Sequence, residues 1–113
     1  MPADLDLLRG TLDLFVLKTL TWGPMHGLAV ARWIDQITES GLQIEEGALY
    51  PALHRMEQKG WIAGDWGITE NSRRARFYRL TPQGRRTYAA QLANWRRYTS
   101  VANLILSARG ASA

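Results

Sequence analysis

The hydrophobic period of this chain changes twice. Up to about residue 60 the apolar side chains recur every three to four positions. From 61 to 80 the spacing is two, and from 82 it returns to the helical value. Residues 5–20 predict a helix, with Leu8, Leu12, Phe15, Val16 and Leu20 on one face. Leu5, Leu14 and Leu17 widen that stripe, and a stripe this broad buries more than one side. Trp22-Gly23-Pro24 ends it, because glycine tolerates the final turn and proline cannot continue a helix.

A second helix is expected over 26–39, with Val30, Trp33, Ile34 and Ile37 sharing a face and Ser40-Gly41 closing it. A third is expected over 46–59, carrying Leu49, Leu53 and Met56 on one side. Two strands follow, 61–68 and 75–80, joined by the polar loop 69–74. Thr81-Pro82 then starts a helix to about 107, with a hydroxyl N-cap and proline at the first helical position. At 1.5 Å per residue that helix is about 38 Å long. A core of this size does not cover such a length, so part of its apolar stripe should meet another chain.

The resulting fold class is mainly α with a small β-hairpin. It reads as a winged helix-turn-helix over 1–81, a long C-terminal dimerisation helix over 82–107 and a tail over 108–113. The 113 residues suit one domain. There is no cysteine, which removes disulfides, thiolate metal sites and cysteine nucleophiles together. The Met1-Pro2-Ala3-Asp4 start has no basic segment, so no secretory signal is expected. No aliphatic run approaches the roughly 18–20 residues of a membrane span. A cytoplasmic location is the expectation.

Charge supplies the first functional pointer. The formal net charge of +4 is a sum of two unlike parts. Residues 1–70 hold 5 basic and 10 acidic residues, net −5, whereas 71–113 hold nine arginines and no acid. A basic half of this kind points to a polyanion, nucleic acid before membrane.

Stepping the third helix at 100° per residue puts Gly47, Pro51, His54, Arg55 and Gln58 opposite its apolar side, with Ala48 and Tyr50 at the flanks. Donors, small residues and one full charge suit a helix that approaches base edges. Pro51 falls at or past the first turn, where it either marks a late helix start or breaks a local rule at a working surface. Arg73, Arg74 and Arg76 cluster at the hairpin tip and its exit, and arginine meets phosphate through a planar, always-charged fork. Catalysis finds little support. His26 and His54 lie on different helices, no hydrolase or phosphate-loop motif is present, and no cofactor or metal is expected. Glu45-Glu46 reads as stabilisation of a helix N-terminus.

Three runs together resemble the PadR family of bacterial transcriptional regulators: Gly47-Ala48-Leu49-Tyr50-Pro51-Ala52-Leu53-His54-Arg55-Met56-Glu57, then Lys59-Gly60-Trp61-Ile62, then Arg73-Arg74-Ala75-Arg76-Phe77-Tyr78-Arg79-Leu80-Thr81-Pro82-Gln83-Gly84. His26-Gly27 is similar to the opening of that family's second helix, and the resemblance spans roughly 5–107. It implies a homodimer of the short-tail subgroup that binds double-stranded DNA at a pseudo-palindromic operator and represses transcription. It also implies a small aromatic effector between subunits, since a tryptophan lines the dimer interface in some short-tail members. Trp95 holds the similar place here, with Tyr98 and with Leu8, Leu12 or Phe15 of the first helix as candidate walls. Trp95 serves that pocket or serves only as dimer core. A winged helix that binds protein or RNA is the alternative reading.

Overall fold

The computed structural model describes residues 2–110, with side chains from residue 10 onward. Helix α1 (Pro2–Thr19) runs into a 3-10 turn, Leu20–Trp22. The two-residue strand β1 (Met25–His26) leads into α2 (Gly27–Ile37), and α3 is Glu46–Gln58. Strands β2 (Ile62–Ile68) and β3 (Arg74–Leu80) form the wing, and α4 (Pro82–Ser107) closes the chain.

The winged helix-turn-helix with an added C-terminal helix is therefore present. The sheet has three antiparallel strands in the order β1-β3-β2, not two. Met25 pairs with Tyr78 and His26 with Phe77, so β3 is central. A two-residue strand has no period to read; only pairing with a segment far along the chain defines it. His26 closes β1 and caps α2, its Nδ1 accepting the Ala29 N–H at 3.3 Å. The second helix therefore starts one residue later than expected and ends two residues earlier. Glu39 and Ser40 take left-handed backbone (φ 51 and 64) after it, and Gly41 follows where a Cβ would lie 2.9 Å from the Thr38 carbonyl oxygen. Arg74, expected in the loop, is the first residue of β3.

One core joins the elements. Val16, Leu17 and Leu20 from the first segment meet Val30 and Ile34 of α2, and Leu49, Leu53 and Met56 of α3. Ile62, Tyr78 and Leu80 close it from the base of the wing. Val16, Leu20, Val30, Ile34, Leu49, Leu53 and Met56 lie on the apolar faces their spacing assigns, because periodicity reports which side of an element is buried.

The wing is joined to α4 by a polar hub. The Thr81 backbone N–H donates to the Trp61 carbonyl at 3.1 Å. The Thr81 hydroxyl oxygen accepts the Gly84 N–H at 3.0 Å and bonds the Gly60 and Trp61 carbonyls. Beyond this joint α4 leaves the core. Tyr98, Leu104, Ile105 and Leu106 are each more than 60% exposed, at 65%, 69%, 68% and 81%. The radius of gyration is 16.6 Å, against about 13 Å for a compact chain of this length.

Candidate nucleic-acid interface

Helix α3 presents the face that its spacing predicts. Leu49, Ala52, Leu53 and Met56 are buried, while Gly47, Tyr50, Pro51, His54 and Gln58 are exposed. Ala48 is half-buried against the core. The helix starts at Glu46, so Pro51 lies well inside it and a late start does not explain it. Proline there removes the N–H that would reach the Gly47 carbonyl, on the solvent side of the helix.

A groove of about 960 Å³ separates the start of α2 from the wing, and Tyr50 of α3 reaches into it. Its walls include Arg32 of α2, Tyr50 of α3, and Trp66, Arg73 and Arg74 of the wing. Tyr50 lies against the start of α2, where a Cβ on Gly27 would come within 2.9 Å of its ring. Tyr78 is buried at the base, and burial pushes its hydroxyl pKa above the ordinary 10.0, partly offset by the Arg76 guanidinium.

The arginines predicted for this surface do not share one environment. Arg55 does not stand free on the outward face. Its guanidinium donates to Asp13 of α1 at 2.7 Å, and Asp13 is nearly buried. Arg76 is likewise engaged, donating to the Glu57 carboxylate of α3 and to the Gly64 carbonyl. Both are held for one reason: an acid from another element pairs with the guanidinium when the elements dock. Arg73 and Arg74 have no carboxylate partner among the described residues. Arg74 places its Cζ 4.5 Å from the centroid of the Trp66 ring.

At the other end of the molecule a shallow depression of about 300 Å³ lies between α1 and α4. Gly10, Thr11, Leu14, Gln91, Asn94, Trp95 and Tyr98 line it. Trp95 and Tyr98 meet there as expected, with ring centroids 6.4 Å apart. Leu12 and Phe15 do not. Leu12 is part of the core and Phe15 packs against it, so Leu14 supplies the wall from α1. The Leu8 side chain lies outside the described residues.

Residues 16–90 match the family described as transcriptional regulator PadR-like. The chain belongs to the PadR-like family. A transcriptional regulator from Clostridium thermocellum of known structure is 32% identical, with a TM-score of 0.79 over 87% of this chain and 95% of that one. A PadR family regulator from Eggerthella lenta is 29% identical, with a TM-score of 0.77 over 96% of this chain and 92% of that one. A transcriptional regulator of Mycobacterium tuberculosis is 32% identical over 78 residues, 68% of each chain.

This PadR-like chain is thus a transcriptional regulator and not an enzyme. No helix among the described residues is long and apolar enough to cross a membrane. Among the groove residues that sequence reasoning missed are Arg32 and Trp66. Arg32 sits in the acidic half, where a single arginine gives no signal. Trp66 alternates with polar residues in the strand, and such a position is read as strand packing unless its neighbours are known.

The Asp13–Arg55 contact yields a double expectation. Asp13→Asn should weaken folding by about 1–2 kcal/mol, a figure kept small because the arginine is partly solvated. A lower urea midpoint at unchanged m-value would register it. The same variant should bind arbitrary duplex DNA more tightly at low salt, since it removes the carboxylate charge that neutralises the Arg55 guanidinium. An unchanged affinity would show that Arg55 does not reach nucleic acid even without that counter-charge.

Proposed function

We propose that the chain is a homodimeric repressor that grips a pseudo-palindromic operator in double-stranded DNA. The observation carrying this reading is the groove between the start of α2 and the wing, with Arg32 on one wall, Arg73 and Arg74 on the other, and Tyr50 as the residue of α3 that reaches it. In this reading Gly47, Ala48, Tyr50, Pro51 and His54 meet base edges, while Arg73, Arg74 and Arg32 hold phosphate. Arg55 and Arg76 leave the contact set because each already has a carboxylate partner.

Dimerisation is supported by the exposed apolar half of α4, where Leu104, Ile105 and Leu106 are largely exposed and Val101 about half exposed. Contiguous apolar surface of that kind marks a site of association. A two-fold dimer places its reading helices about one turn of duplex apart, roughly 34–36 Å. Selection from a random duplex pool should return inverted half-sites at that spacing, and sedimentation equilibrium should give twice the chain mass. Preference for single strand or RNA at matched salt would replace the duplex reading with the RNA-binding one. Tight capture of an acidic protein, without duplex binding, would favour a protein-interaction module.

The depression beside Trp95 favours control by a small planar aromatic ligand seated between α1 and α4. Trp95→Ala should abolish ligand-induced release of the operator while keeping operator binding. A dimer that dissociates on this change would instead assign Trp95 to the interface core.

A further inference from the structure

On the inner face of the wing, one indole lies against two arginines of opposite fate. Trp66 pairs across the sheet with Arg76, and Ile68 with Arg74, so these side chains share the face that continues outward from the core. Arg74 and Arg76 place their Cζ atoms 4.5 Å and 5.8 Å from the Trp66 ring centroid. Arg76 is anchored at its edge by Glu57 of α3 and by the Gly64 carbonyl, at a glycine where a Cβ would collide with the guanidinium. Arg74 has no such anchor among the described residues. A guanidinium against an aromatic ring keeps its N–H donors, which lie in its plane, available for a bidentate acceptor. Trp66 itself is 59% exposed and lines the groove.

We propose that Trp66 is a positioning residue for nucleic acid, holding Arg74 as a pre-oriented phosphate fork at a set distance from α3. The sequence Glu57–Arg76–Trp66–Arg74 is a continuous rail from the reading helix to the wing tip. Because Arg76 is pinned to α3 and the indole packs against Arg76, the Arg74 fork keeps its place relative to the base-reading face. Ordering a long arginine in advance removes an entropic loss from binding. This inference rests on the duplex reading above.

A double-mutant cycle on the full chain, followed by anisotropy of a labelled duplex over a salt series, tests it. Arg74→Ala should weaken binding about 30-fold and lower the salt slope, and Trp66→Ala should weaken it about 10-fold. Trp66→Ala placed in the Arg74→Ala background should change affinity less than about twofold, because the residue it orients is gone. Trp66→Phe keeps an aromatic face and should recover most of the loss. Full multiplication of the two single effects, or a Trp66→Ala protein that binds like the wild type, would overturn the inference and leave the duplex reading standing. A wild-type chain that binds no duplex even at low salt would overturn both. Trp66 is exposed, so unchanged circular dichroism melts of its variants should accompany each result.

Discussion

Gly84→Ala should lower the melting temperature by roughly 10–20 °C, corresponding to about 3 kcal/mol or more. A Cβ at this position would lie 1.9 Å from the Trp61 carbonyl oxygen and 2.8 Å from its carbon. Those are backbone atoms, so no rotamer change relieves the clash. The same carbonyl accepts the Thr81 N–H, and the Gly84 N–H reaches the Thr81 hydroxyl. Moving α4 away to admit the methyl group therefore breaks the hub that joins the helix to the wing. Buried groups left without partners add to the loss. Gly47→Ala is the matched control. Gly47 is also helical, but nothing lies within 4 Å of its would-be Cβ, so alanine should stabilise by up to about 1 kcal/mol through helix propensity. Thermal melts of both variants decide the matter. A Gly84→Ala protein that melts with the wild type would show that the wing and α4 separate at little cost.

The second large effect is on binding. Arg73→Ala combined with Arg74→Ala should weaken duplex affinity on the order of 10²–10³-fold at physiological salt, taking about 1 kcal/mol per exposed phosphate contact and four contacts per dimer. The slope of log affinity against log salt should shrink by roughly 3.6 in the proposed dimer. Both changes should be similar for operator and random duplex, because phosphate contacts position the protein without reading sequence. His54→Ala should instead alter base preference with little effect on the slope. Isothermal titration or anisotropy across several salt concentrations separates these outcomes. A double arginine variant with wild-type affinity and slope would remove the wing tip from the DNA interface.

These two predictions draw on different amounts of sequence information. The Thr81-Pro82 start and the change of period around it are local, so the boundary between wing and α4 is legible without coordinates. The contact that makes Gly84 indispensable is not, since it depends on how closely the Trp61 carbonyl approaches across the joint. The outward face of α3 is legible for the same local reason as its buried face. The choice among the arginines is not. Composition makes 71–113 uniformly basic, yet Arg76 is held by Glu57 and Arg73 is not.

By itself the sequence determined the order of the four helices and the two wing strands, the buried face of α3, the capped start of α4 and the division of charge, because periodicity, caps and charge are properties of neighbouring residues. Tertiary structure alone decided which charges remain available. Asp13 and Arg55 are 42 positions apart, and Glu57 and Arg76 are 19 apart. Nothing local brings either pair together. They meet only when α1 and the wing dock on α3, and that docking satisfies two arginines and presents Arg74 on the face of Trp66.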